Sequence, residues 1–129
     1  MQVYQNPYGQ YKQQQNRAIE TADRVTLITM LLEGAISYNK KALLALENND
    51  KKAVLEYVEC AVKVVLHLYS CINFDEGGEV AERLGKLYNY ICDQYIVFRK
   101  QLPNTAAMDS INKVLETILE GWKQLPKAT

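Results

Sequence analysis

The stretch KKAVLEYVECAVKVVLHLYSCIN, residues 51–73, decides the fold. Val54, Val58, Ala61, Val65, Leu68 and Ile72 step along it by four, three, four, three and four, the heptad-like spacing of one seam on an α-helix. A half-buried strand would place its apolar residues at every second position instead. Beside the seam runs a second apolar row, Leu55, Val62, Leu66 and Tyr69, at steps of seven, four and three. The polar strip that remains, Lys52, Glu56, Glu59, Lys63, His67 and Ser70, is correspondingly narrow. The segment is thus a helix with more oily surface than one seam requires. Asp50, closing the Asn48-Asn49-Asp50 cluster, is placed to accept from the free N–H groups at its start, and its end is expected near Asn73.

Upstream, Ile28, Leu31, Ala35, Ala42 and Leu46 recur at helical spacing, so a first helix is expected from about Thr21 to Glu47, capped by Thr21 or Asp23. Before it, residues 1–20 are rich in Gln and Asn, carry Tyr4, Tyr8 and Tyr11, and show no apolar period; they read as an extended or partly helical arm. Downstream, Phe74-Asp75-Glu76-Gly77-Gly78 breaks the period, because each glycine costs a helix about 1 kcal/mol. A third helix follows, with Glu79 and Glu82 suited to the positive end of its dipole. Val80, Leu84, Leu87, Ile91 and Phe98 are its expected core row, and Ala81, Tyr88, Cys92 and Tyr95 form a second apolar row. Pro103 ends it, and Asn104 or Thr105 caps a fourth helix whose apolar residues are Met108, Ile111, Leu115, Ile118, Trp122 and Leu125, closed by Pro126.

Four helices of roughly twenty residues, each about 30 Å long and joined by short turns, predict an all-α antiparallel four-helix bundle. The expected organisation is an arm over residues 1–20 and a single bundle domain over 21–125. A chain of 129 residues leaves little room for a second core.

Fifteen Lys and Arg balance fifteen Asp and Glu, so there is no global positive field to draw in nucleic acid. No run of about 18 apolar residues interrupts the chain and its start is polar, so membrane insertion is not expected and the protein reads as cytosolic. Cys60, Cys71 and Cys92 are an odd set without a C-x-x-C pair, which fits a reducing compartment and small buried thiols.

Catalytic patterns are missing. His67 is the sole histidine, so paired Glu-x-x-His metal motifs and His pairs are absent, and no cofactor or metal is expected. There is no phosphate loop, no G-x-S-x-G elbow and no dinucleotide fingerprint. His67 and Cys71, four apart on one helix, are the remaining candidates for a reactive pair, although a solvent-side His beside a core Cys gives the same letters. The chain reads as a binding protein rather than an enzyme. Its surplus rows either widen the core or expose several hundred Å² for a partner, such as an amphipathic helix.

Several landmarks then fall in one order: Asn6-Pro7-Tyr8 and Tyr11, Leu27 to Ala35 (LITMLLEGA), Gly77 to Leu84 (GGEVAERL), Leu87-Tyr88-Asn89-Tyr90, and Trp122-Lys123-Gln124. In these the chain resembles the flagellar export chaperone family FliS over essentially its whole length. It departs in having Leu31-Leu32 where that family usually has Leu-Tyr or Leu-Phe, and Arg83 where it often has Asn. The resemblance implies a cytosolic four-helix bundle that binds the C-terminal helical segment of flagellin, prevents its premature polymerisation and delivers it to the flagellar type III export gate. The expected flagellin-binding residues are Leu55, Val62, Leu66 and Tyr69 on helix two with Ala81, Tyr88 and Tyr95 on helix three. Tyr4, Tyr8 and Tyr11 are expected arm contacts, either lying in the empty groove or touching flagellin or the export apparatus. When free, the protein is expected to be a monomer or weak dimer; the rival expectation is a structural bundle that homodimerises through its surplus apolar face.

Overall fold

The computed structural model describes residues 24–125, which form four helices: α1 (Arg24–Glu47), α2 (Lys51–Ser70), α3 (Phe74–Lys100) and α4 (Ala106–Lys123). Consecutive helices pack side by side, and α4 returns to α1 to close a square; α1 faces α3, and α2 faces α4, only across the diagonals. This is the expected all-α four-helix bundle. The α1–α2 pairing is the most extensive, and buried small residues such as Ala42, Ala45 and Ala61 allow close backbone approach. The α2–α3 pairing is the least extensive of the four.

The turn between α1 and α2 follows from its three residues. Asn49 takes a positive φ of 57°, a conformation Asn tolerates, and the Asp50 N–H donates to the Ala45 carbonyl at 2.9 Å. Asp50 then caps α2, its carboxylate accepting from the Ala53 N–H at 3.1 Å. At the start of α4 the capping oxygen belongs to Asn104, which accepts from the Ala106 N–H at 2.8 Å, while Thr105 makes no capping bond through its side chain. The proposed caps Thr21 and Asp23, like Pro126 and the arm, lie outside the described residues.

The α2–α3 connection departs from the expected break. Phe74 to Gly77 form one helical turn of their own, capped by Asn73, whose Oδ1 accepts from the Glu76 N–H at 3.1 Å. The interruption is concentrated at Gly78, with φ 56° and ψ −135°. Only glycine adopts that combination readily. From Glu79 onward α3 runs on to Lys100.

The larger departure is the rotation of α3. Its buried residues are Ala81, Gly85, Tyr88, Ile91, Tyr95 and Phe98, so Ile91 and Phe98 keep their expected place while Val80 and Leu87 face outward and Leu84 is half-buried. Two tyrosine rings occupy the centre instead. Tyr95 is fully buried because its hydroxyl has a partner there: it donates to Asn39 Oδ1 at 2.6 Å. Asn39, the one buried polar side chain among the described residues, passes the chain on to Asn112 through its Nδ2 at 2.8 Å.

Candidate functional site

On α2 the second apolar row is outward-facing. Leu66 is 54% exposed, Leu55 and Tyr69 are more than a third exposed, and Val62 is half-buried against the core. They line the flank of α2 that borders α3. This is shown at its upper end, where the Tyr69 ring approaches both Phe74, at 5.6 Å between centroids, and the backbone of Gly85. On α3, Cys92 and Ile96 follow Gly85 at steps of seven and four, which keeps them on the same side of that helix, Cys92 half-buried and Ile96 exposed. The α2–α3 boundary therefore carries an apolar strip rising from Leu55 to Tyr69, about 21 Å at the rise of an α-helix.

Ala81, Tyr88 and Tyr95 do not join that strip. All three are core residues, with Tyr88 and Tyr95 among the largest fully buried side chains, which corrects the expectation that they form an outward row. The physical reason is the rotation described above: rings of this size fill the middle of the square better than Val80 and Leu87, and Asn39 satisfies the Tyr95 hydroxyl. Burial keeps both phenols protonated well above their ordinary range.

The residues displaced by this rotation make a second apolar surface, which the sequence reading missed. Val80, 74% exposed, and Leu87 line with Leu84, Ile118, Trp122 and Leu125 a trough of about 450 Å³ between α3 and α4. It adjoins a smaller hollow of about 170 Å³ floored by Leu68, Cys71, Ala81 and Tyr88, with Arg24 at its rim. The Arg24 guanidinium donates to the Cys71 carbonyl there, tying the start of α1 to the end of α2. A signal was present in the sequence: the last apolar residues of the fourth helix, Trp122 and Leu125, have few bundle positions left to cover them. A third hollow, about 500 Å³ between α1 and α4, mixes Ile36, Leu44 and Leu119 with the charged side chains of Glu33, Lys40, Lys41 and Glu116.

The cysteines are unpaired with one another, and each is half-buried. Burial pushes the Cys71 thiol up, with Arg24 and Ser70 only partly opposing it, and burial likewise raises Cys60 and Cys92. A nucleophilic thiol needs the opposite shift. Among the described residues no group of three His, Cys, Asp or Glu side chains is arranged to hold a metal ion, and no helix is long and apolar enough to cross a membrane. Tyr4, Tyr8 and Tyr11 lie outside the described residues.

The chain matches the family described as "Flagellar protein FliS" over residues 4–129. It is similar to the flagellar secretion chaperone FliS of Salmonella typhimurium, with 34% identity over 115 residues that cover 87% of this chain and 84% of that protein. The flagellar secretion chaperone FliS of Campylobacter jejuni is 29% identical over 121 residues, covering 92% and 89% of the two chains. That of Vibrio cholerae is 24% identical over 100 residues, covering 78% and 73%.

Proposed function

We propose, since this chain belongs to the FliS family of flagellar proteins, that it is a cytosolic chaperone of flagellin: it binds the C-terminal helical segment of flagellin, keeps it from polymerising and hands it to the flagellar type III export gate. The observation that carries this reading is the outward row of exposed Leu55, Leu66 and Tyr69, with half-buried Val62 between them, along the α2–α3 boundary. A helical client with apolar residues at three- and four-residue steps matches such a row turn for turn. Masking the same apolar faces through which flagellin subunits would associate is what withholds them from assembly.

Energetics favour a long contact. Ordering a disordered client costs about 2–5 kcal/mol, and coupled folding and binding typically buries on the order of 1,000–3,000 Å². The strip on the α2–α3 seam together with the α3–α4 trough offers apolar surface on both flanks of α3. Apolar burial offsets the ordering cost without a nucleotide. In this reading Ala81, Tyr88 and Tyr95 support the surface from beneath, and Tyr4, Tyr8 and Tyr11 are arm contacts; removing residues 1–15 raises flagellin affinity if the arm caps the empty groove, and leaves it unchanged or weaker if it does not.

Calorimetric titration of the full chain with a peptide from the flagellin C terminus tests the function. Binding at about 1 μM or tighter, with a strongly negative heat-capacity change, is the expected result. Light scattering should show a monomer becoming a one-to-one complex. An absence of binding, or a tight homodimer indifferent to the peptide, would overturn the reading.

A further inference from the structure

Where the α2 row ends, the chain fills a slot with one of its own side chains. Gly85 is buried in α3, and a Cβ added to it would lie 3.1 Å from two atoms of the Phe74 ring and 3.5 Å from the Tyr69 ring. Phe74 thus sits in a recess that exists because residue 85 has no side chain. Yet Phe74 as a residue remains 43% exposed, so the recess is covered rather than sealed. The turn that carries it is a separate unit. Asn73 and Glu76 brace it from within, the Gly77 N–H donates to the Asn73 carbonyl at 2.8 Å, and Gly78 detaches it from the rest of α3.

From these contacts we infer that the slot at Gly85 is a binding subsite for a bulky apolar side chain, Leu or Phe, on the client helix, and that Phe74 holds the place in the free protein. This deepens the flagellin reading and rests on it. A client helix lying along Leu55, Val62, Leu66 and Tyr69 arrives at the slot on its next turn, with the Tyr69 ring forming one wall. Phe74 has the size and chemistry of the side chain it stands in for. Gly78, at φ 56° and ψ −135°, is the backbone point about which the turn carrying Phe74 would swing aside from the rest of α3.

The test is titration of the wild-type chain, Phe74→Ala, Gly85→Ala and the double variant with the flagellin C-terminal peptide, with thermal melts to show that each folds. Phe74→Ala removes the competitor and should bind about five- to tenfold more tightly; Gly85→Ala fills the floor of the slot and should bind about tenfold more weakly, as should the double variant. Equal or weaker binding by Phe74→Ala would overturn the inference, as would unchanged binding by Gly85→Ala; if Gly85→Ala does not fold, Phe74→Ala decides alone. Fluorophenylalanine labelling provides an independent readout, since the chain's two phenylalanines are Phe74 and the fully buried Phe98. On peptide binding the Phe74 fluorine resonance should move toward its solvent-exposed position while Phe98 stays; a Phe74 signal that becomes more buried or does not move refutes displacement. Failure of the wild-type chain to bind the peptide would remove the flagellin reading and this inference with it, whereas wild-type binding without the Phe74 effects would remove this inference alone.

Discussion

The Tyr95 hydroxyl of α3 donates to Asn39 Oδ1 of α1 at 2.6 Å, joining two helices that face each other only across the diagonal of the bundle. Both residues are fully buried. Asn39 also donates to Asn112 of α4, so one side chain fixes the relative rotation of three helices. Apolar side chains alone pack almost as well in several rotations, whereas a buried donor and acceptor pair in very few.

Removing the Tyr95 hydroxyl leaves the buried Asn39 Oδ1 without this donor, and removing Asn39 leaves the buried Tyr95 hydroxyl without this acceptor. Tyr95→Phe and Asn39→Leu are each expected to destabilise the protein by about 1–3 kcal/mol in urea unfolding. The double variant should lose less than the sum, with a coupling of about 0.5–3 kcal/mol; strict additivity would show that the bond does not fix the helices.

The two glycine environments predict opposite signs. Gly78→Ala forces a side chain onto φ 56° and should cost about 1–3 kcal/mol. Gly121 lies inside α4 with open space where a Cβ would be, so Gly121→Ala should stabilise by about 0.4–1 kcal/mol. Chemical denaturation of the two variants side by side checks both.

Neighbouring leucines on α2 separate docking from folding. Leu68 is buried, and Leu68→Ala should cost about 2–5 kcal/mol. Leu66 is exposed, so Leu66→Ala should change stability by less than about 0.5 kcal/mol while weakening flagellin binding by about 1 kcal/mol or more. A Leu66→Ala variant that melts normally and binds normally would remove the α2 row from the docking surface.

Alkaline pH should unfold the protein from within. Burial holds Tyr95 and Tyr88 protonated above the value near 10 at which an unfolded tyrosine ionises. The native state therefore retains protons that the unfolded chain releases. Their contribution is intact below about pH 10 and declines above it, by about 1.4 kcal/mol per pH unit for each phenol until its folded pKa is reached. The half-buried thiols, also held up by burial, begin to add to the slope from about pH 8.5. Unfolding curves between pH 8 and 11 should become flatter in Tyr95→Phe, which removes one phenol; an unchanged slope would mean that Tyr95 ionises freely.

The α2 row and the Gly85 slot differ in how far they could be read. Leu55, Val62, Leu66 and Tyr69 were visible as surplus because a helix can bury one stripe, and their seam partners Val54, Val58, Ala61, Val65 and Leu68 already filled it. Phe74 was hidden in a segment whose glycines signalled a turn, and nothing local indicates that a ring in that turn will lie on a glycine eleven residues later.

From the sequence came four helices, their order, the Asp50 cap and the outward flank of α2, all of which depend on spacing within one segment. The rotation of α3 was decided only by tertiary structure. Two apolar rows on that helix satisfied the same periodicity, and the choice between Val80 with Leu87 and Tyr88 with Tyr95 lay in the volume at the centre of the square and in Asn39, on a different helix. Period fixes where a stripe runs along a helix, but when two stripes are available, packing and hydrogen bonding across the bundle select the one that goes inside.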